Sequence, residues 1–597
     1  MFRPRRGNWL RNRRERLKLA FPDRVVAYSG RIVRAARLRS RMPHPDDASP
    51  ASPGPARPVS LLTPLVLLAV SLGVIALVWS WLARPVALAR APIDPSAKLD
   101  CISYAPFRGE ENPLTPGLVV GRDKIAADMA QLAGISNCVR TYSIGNGIEQ
   151  LPEIAAEAGL KVMLGIWIGT SPRDNALQIE NAVELANRHP ETVSAVIVGN
   201  EVLLRNEMTA TDLARIIRGV KARVKVPVTY ADVWEFWLRN RELADAVDFV
   251  TIHILPYWED LPTAARLAAT HVGSIRSRAA VAFPGKEILI GETGWPSQGR
   301  MREGALPSRT NQARVISEVL ALAKREGFRV NLIEAYDQPW KRQFEGTVGN
   351  GWGLMDGGDR ALKYPIGTAV SDYPHWKMQM GVGMGLSALV FAAGFSAFRR
   401  RPESAGAAVW LAIALSATAA GVLVGIAAEK MAYESYRIGD WLRWGALLAA
   451  AIAAQLVGAN ALMAGRRLPT FVELIGPRTE RNGSVPTIML GAALLVTTLA
   501  GTETALGLVF DPRYRDFPFA ALTMAAIPFA ALAVLNRPRT GPRPMAEAVF
   551  GSLFVMAALY IGFHEGLENW QAIWTCAGYG LLGITLWQAR APINKPV

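Results

Sequence analysis

A chain of 597 residues is too long for one ordinary domain. Half of its residues are hydrophobic and its mean hydropathy is positive, which argues against a wholly soluble protein. The net charge of +16 invites a nucleic-acid partner, but the charge is uneven: residues 1–58 hold fifteen Lys and Arg against four acids.

The residues after this basic tail decide its meaning. Leu61–Ala83, "LLTPLVLLAVSLGVIALVWSWLA", runs 23 residues without a charge. It is long enough to cross a bilayer as a helix, and too long and too far from the start for a cleaved signal peptide. Residues 1–59 are therefore read as a cytoplasmic tail whose charge sets topology and touches the lipid bilayer, with no nucleic acid as partner. Residues 60–83 form the transmembrane helix and 84–98 a linker.

From 99 to 372 apolar runs alternate with amphipathic helix patterns. The runs are "DCISYAPF", "NCVRTYS", "KVMLGIWIG", "SAVIVGNE", "VPVTYAD", "DFVTIHI", "EILIGETGW" and "VNLIEAYDQPW". Thr209-x-x-Asp212 is a helix start signal. Eight strand–helix units predict an α/β fold, a (β/α)8 TIM barrel. A doubly wound open sheet would want a glycine-rich phosphate loop after an early strand, and none is present. Cys101 and Cys138 begin two of the strands. They are read as small buried residues that a barrel of this size can do without, and a disulfide between them stays open. No Cys/His cluster has metal-ligand spacing, so neither metal nor cofactor is expected.

The fourth run ends abruptly in Gly199-Asn200-Glu201. Glu201 either opens the next helix, where negative charge is favoured, or does chemistry. In a barrel the active site lies at the C-terminal ends of the strands. Those ends are polar and aromatic here: Tyr104, Arg140 with Tyr142, Trp167, Asn200-Glu201, Tyr230 with Asp232, His253, Glu292, and Tyr336-Asp337. Strands four and seven both end in Glu. Two carboxylates facing one mouth are what glycoside hydrolysis needs, and retaining enzymes hold them about 5–5.5 Å apart. The nearby Glu292 carboxylate predicts a raised pKa for Glu201. Trp234, Trp237, Tyr257, Trp258, Trp295 and Trp340 are candidates to stack on sugars, against core packing for any one of them.

"VIVGNEV" with "LIGETGWPS" resembles glycoside hydrolase family 17, the β-1,3-glucanases and glucanosyltransferases; "ISYAPFRG", "RTYS", "DVWEFW" and "EAYDQPWK" are similar to its microbial branch. The resemblance covers roughly residues 99–370. It implies Glu201 as acid/base, Glu292 as nucleophile and Asn200 as a partner of the sugar 2-hydroxyl. It also implies a β-glucan oligo- or polysaccharide as substrate. Tyr104, Arg140, Tyr142, Trp234, Tyr257, Trp295, Tyr336, Asp337, Trp340 and Lys341 are the expected subsite residues. One departure is Gln338, where microbial relatives often carry an acid.

From Trp376 the chain turns hydrophobic again. Seven further spans are predicted, near 376–398, 405–428, 441–465, 486–510, 517–535, 546–564 and 570–589, followed by a tail at 590–597. Arg399–Arg401, Arg466, Arg467, Arg478, Arg481, Arg537, Arg539, Arg543, Arg590 and Lys595 fall on the side of the N-terminal tail. The opposite loops, "EKMAYESYRIGD", "DPRYRD" and "HEGLEN", are acidic or mixed. This bias places both termini in the cytoplasm and the barrel in the periplasm of a bacterial inner membrane. Glu503, Asn460 and Gln455 lie inside spans, either as functional groups or as hydrogen bonds between helices.

The barrel with its multi-span tail also resembles bacterial membrane-attached β-1,6-glucan synthases and endo-β-1,3-glucanases. The expected function is cleavage or transfer of β-1,3-glucan chains, including β-1,6 branching, with a glucan synthase partner left open. The alternative is a multi-span glucan synthase or export component using the barrel as a glucan-binding module. A synthase fed by a nucleotide sugar needs an acidic metal site on the cytoplasmic side, and the 466–485 loop is too short to form one. A pure binding module would not be expected to keep both Glu residues.

Overall fold

The computed structural model describes residues 62–88, 98–365, 368–400, 406–476, 484–536 and 541–590. The basic tail, Arg401, Arg478, Arg481, Arg537, Arg539 and Lys595 lie outside them.

Eight parallel strands close into a barrel in sequence order. They are β1 Cys101–Ser103, β2 Cys138–Arg140, β3 Lys161–Ile166, β4 Val193–Asn200, β5 Val228–Val233, β6 Val250–His253, β7 Ile288–Thr293 and β8 Val330–Leu332. β8 returns to pair with β1, Cys101 against Asn331. Each of the eight apolar runs supplies one strand. β4 shows why these runs lack a polar face: it is buried on both sides. Val196 and Val198 pack outward with the helices, whereas Ala195 and Ile197 face inward with Met163, Phe249 and Leu289. The helix Ala210–Lys221 starts where its cap signal places it. The Asp212 amide donates to Thr209 Oγ1 at 3.2 Å.

Cys101 and Cys138 form a disulfide. Ile102 pairs with Val139, so the two cysteines sit opposite each other, with Cα atoms 4.3 Å apart. The bond lies in the inward-facing core layer. The pairing left open in the sequence is thus settled by register.

All eight apolar segments outside the barrel are helical: Leu62–Leu82, Trp376–Phe398, Ala407–Glu434, Ile438–Met463, Val485–Phe510, Phe519–Leu535, Met545–Glu565 and Trp570–Trp587. Six are long and apolar enough to cross a membrane. Phe519–Leu535 is shorter, at 17 residues, and Trp570–Trp587 is not among the six; its Gln571, Thr575 and Thr585 dilute the apolar run. Most of "EKMAYESYRIGD", expected as a loop, is helical. Only Ser435–Arg437 separate the two helices there, and a Lys430–Glu434 ion pair at 2.7 Å supports the last turn. A short helix, Phe471–Ile475, also occupies the connection expected to be a plain loop.

All three polar groups singled out in these helices join a neighbouring helix, two of them by hydrogen bonds of neutral side chains. Gln455 is fully buried; it accepts from the Ser416 hydroxyl at 2.8 Å and donates to the Met524 carbonyl at 2.7 Å. Asn460 donates to the Ala393 carbonyl and Ser396 Oγ, both at 3.2 Å. Glu503 instead pairs with Arg443 at 3.2 Å.

The disulfide closes a 37-residue separation. A Cys101→Ala/Cys138→Ala variant should still fold, because the barrel core is extensive, but lose about 2–4 kcal/mol. Thermal and denaturant unfolding of both proteins checks this; an unchanged midpoint would show that the bond adds nothing.

Candidate active site

Barrel closure gathers the ends of β2, β4, β6 and β7. Arg140, Asn200 and His253 are the last residues of their strands, and Glu292 is next to last on β7. Glu201 follows Asn200 directly. Its backbone is left-handed, with φ 54°, a conformation that costs a non-glycine residue about 1–3 kcal/mol. Its amide donates to the Ala231 carbonyl at 2.8 Å. The Arg205 guanidinium donates to the carbonyl of the preceding Asn200. The next helix starts only at Ala210, so Glu201 does not serve a helix N-terminus. Its side chain is 22% exposed.

Arg140 is the hub, 1% exposed. One nitrogen donates to Glu292 Oε1 at 2.8 Å and to the Gly291 carbonyl at 2.9 Å. The other donates to Asn200 Oδ1 and lies 3.4 Å from His253 Nε2. Arginine can only donate, so His253 Nε2 is the accepting nitrogen. Nδ1–H therefore points to Glu201 Oε1, 2.9 Å away. Gly291 makes room for this ring: a Cβ there would lie 2.3 Å from Thr251 Cγ2 and 3.2 Å from His253 Cδ2.

Glu201, His253 and Glu292 each present an atom within 4.8 Å of the others. Three such donors could hold a cation, but the Arg140 guanidinium already supplies positive charge between them. The carboxylate separation instead suits a retaining glycosidase. Burial alone would raise the Glu292 carboxyl; the positive charges around it, Arg140 and then Lys341, help outweigh burial and hold Glu292 below its ordinary value. Glu292 thus stays ionised in its dry site. Lys341 donates to both oxygens of Glu334 at 2.8 Å. Burial works against the Lys341 charge, but Glu334 and Glu345 keep the ammonium above its usual value.

Other expected residues divide into two groups. Tyr142 lies under the Arg140 guanidinium, 4.7 Å from its ring centre, and donates to Ser103 Oγ at 3.0 Å. Trp234 and Trp340 are half-buried. Trp234 donates to Glu259 at 3.1 Å, and Trp340 donates to Gln338 Oε1 at 3.0 Å, so the departing Gln338 orients an aromatic ring.

Tyr104, Tyr257, Trp295, Tyr336 and Asp337 hold other parts of the protein through their polar atoms. All are buried and their polar atoms are engaged elsewhere. Tyr104 donates to Asp128 and Tyr336 to Gln131. Tyr257 and Trp295 donate to the carbonyls of Arg300 and Leu306. Asp337 accepts from Lys363 at 2.7 Å and from the Gly353 amide at 2.9 Å. Large side chains at strand ends have room to pack under the covering loops, and these five do so. Trp237, a further stacking candidate, is buried and donates to the Thr251 carbonyl.

Three residues received no role from the sequence. His253 bridges Arg140 and Glu201; its signal was its position opposite Glu292 in the β6–β7 register. Glu334 is the counter-ion of Lys341. Asp232 accepts from the Tyr230 hydroxyl and from the amides of Leu203 and Leu204, holding the turn that presents Glu201. Burial, then the Glu201 charge, pushes Asp232 up to about 6.

Residues 101–353 match the BtgE/BtgC glycoside hydrolase domain. A glucan 1,3-beta-glucosidase of Schizosaccharomyces pombe is 30% identical over 269 residues, 41% of this chain and 80% of that protein. The chain belongs to glycoside hydrolase family 17. A glucan 1,3-beta-glucosidase of Candida albicans is 28% identical over 274 residues, 40% of this chain and 84% of its own length. The solved family 17 beta-1,3-glucanosyltransferase of Rhizomucor miehei is 27% identical, with 45% of this chain and 97% of that chain covered and a TM-score of 0.40. This family 17 chain is accordingly a glycoside hydrolase or transglycosylase.

In this family 17 barrel, Arg140→Gln removes positive charge from Glu292 and leaves its burial less opposed. The acid limb of kcat/KM should move to higher pH. A pH–rate profile from acidic to neutral conditions checks it, and an unmoved limb would exclude Arg140 as the group that keeps Glu292 ionised.

Proposed function

We propose that this protein is a membrane-anchored, retaining enzyme that cleaves or transfers β-1,3-glucan chains. The observation that carries the reading is the pair Glu201 and Glu292, at the ends of β4 and β7 on one barrel mouth, with carboxylate oxygens within 4.8 Å. Glu292, ionised and buried, attacks the anomeric carbon. The glycosidic C–O bond breaks as Glu201 gives its proton to the leaving oxygen. Glu201 then takes a proton from the acceptor, whose oxygen displaces Glu292 from the sugar. His253 aims Glu201, and Asn200, fixed by Arg140, meets the sugar 2-hydroxyl. Water as acceptor gives hydrolysis; a glucan hydroxyl gives transfer, including the step that would create a β-1,6 branch.

The helices support a membrane setting. Leu65, Val70, Leu77, Leu389, Leu415 and Leu499 are exposed apolar side chains on helix surfaces, the arrangement expected of faces turned to lipid. With Arg-rich connections in the cytoplasm, the barrel would face the periplasm, where a disulfide persists. Reporter fusions at Ser371 and Val597 test the orientation. Phosphatase activity is expected at Ser371 only, and the reverse pattern would invert the topology.

The catalytic roles have a separate test. Glu292→Ala should abolish turnover of every substrate. Glu201→Ala should slow natural glucans by about 10²–10⁴-fold, but spare the first step on aryl glucosides, whose leaving groups need no proton. Azide should rescue Glu201→Ala with a β-glucosyl azide, and Glu292→Ala with the α-azide. Opposite anomers would exchange the two roles; full glucan activity in both variants would refute the enzyme assignment.

A further inference from the structure

The barrel turns its catalytic end toward the helices. The hydrogen bonds joining the two halves come from loops after β7 and β8. Met301 donates its amide to Gln571 at 3.2 Å and accepts from Asn569 at 3.0 Å. Arg342 donates to the Ser435 carbonyl at 3.1 Å. Arg300, buried, pairs with Glu565. These loops leave the same end of the barrel, the C-terminal end of its strands, at which Glu201 and Glu292 stand.

One connection between helices, Asp511–Asp516, packs against this rim. Three contacts fix it. Arg300 donates to the Arg515 carbonyl at 2.8 Å. Thr347 donates to Asp516 Oδ2 at 2.5 Å. Gly346, at φ +70°, lies so close that a Cβ there would meet the Tyr514 carbonyl oxygen at 2.5 Å. The loop is therefore packed against the segment that follows Trp340 and Lys341.

Its two central side chains remain available. Arg513 is exposed and Tyr514 half-buried. The Tyr514 ring meets Trp258, from the loop after β6, at 6.3 Å and 75°. The Arg513 guanidinium lies 5.8 Å from the Trp258 ring and 5.5 Å from that of Tyr514. Glu345, one residue before Gly346, belongs to the segment on which the loop packs. Burial pushes its carboxyl up, Lys341 opposes that, and the charges of Glu201, Glu292 and Arg513 all reach it. Behind the loop lies a cavity of about 350 Å³ walled by Arg342, Tyr436, Arg443, Glu503 and Tyr514 among others. Its charged and hydroxyl-bearing lining suits a sugar chain rather than a lipid tail.

We propose that Arg513 and Tyr514, carried by the helical half, form with Trp258 an outer sugar-binding position of the cleft, so that one glucan chain is gripped by both halves of the protein. The aromatic faces take the C–H face of a sugar and Arg513 donates to its hydroxyls. This inference rests on the glucan reading above and adds a function for the helices beyond anchoring.

The test uses the full chain in detergent. Initial rates are measured on laminari-oligosaccharides of increasing length and on an aryl β-glucoside that reaches only the catalytic position. In Tyr514→Ala, kcat/KM for long oligosaccharides should fall roughly tenfold, the size expected for a lost aromatic platform. The loss should grow with chain length and be several-fold smaller on the aryl glucoside. Arg513→Ala should follow the same trend, Tyr514→Trp should restore long-chain turnover, and the distant Leu499→Ala should match wild type. A loss independent of length, no loss on long chains, or no restoration by Trp overturns the proposal while leaving the catalytic pair intact. A wild-type enzyme inactive on every glucan removes the glucan reading itself, and this inference with it.

Discussion

A buried arginine organises the catalytic end of the barrel. Arg140 loses almost all contact with water, and its two terminal nitrogens, though not Nε, are matched by acceptors. Those acceptors come from other strands: Glu292 and the Gly291 carbonyl on β7, and Asn200 on β4. His253 on β6 completes the set and passes the arrangement on to Glu201. One charge thus fixes four strand ends. A one-residue slip of β7 would turn Glu292 to the other face and leave Arg140 without its counter-ion, so closure and placement of the carboxylates are the same event.

The two carboxylates sit in unlike surroundings. Glu292 is enclosed, with positive charge on several sides. Glu201 is more exposed, on a left-handed residue just past its strand, with the turn behind it clamped by Asp232. An enclosed, charge-stabilised carboxylate suits attack, and a more accessible one suits proton exchange with an acceptor. The loops that leave β7 and β8 at this same end bond to the helical half, Met301 to Gln571 and Arg342 to the Ser435 carbonyl.

Much was legible because local pattern reports local structure. Apolar runs alternating with helix patterns marked all eight strands, and the endings Gly199-Asn200-Glu201 and Gly291-Glu292 marked β4 and β7. The apolar helices were legible for the same reason, though not their ends: the Lys430–Glu434 turn reads as loop by charge, yet stays helical through an ion pair one turn apart. The partners of the aromatic residues were not legible: the hydroxyls of Tyr104, Tyr336 and Tyr257 bond to Asp128, Gln131 and the Arg300 carbonyl, each distant in sequence.

The sequence by itself determined the barrel, the helical half and the identity of the two carboxylates, since each depends on periodicity or a short motif along the chain. Only the tertiary structure decided that Cys101 faces Cys138, that Arg140 and His253 join the two carboxylates, and that a loop near residue 514 stands beside Trp258. Those facts depend on register and on contacts between residues from tens to hundreds of positions apart, and no pattern within one segment encodes the partner that a closed barrel brings to it.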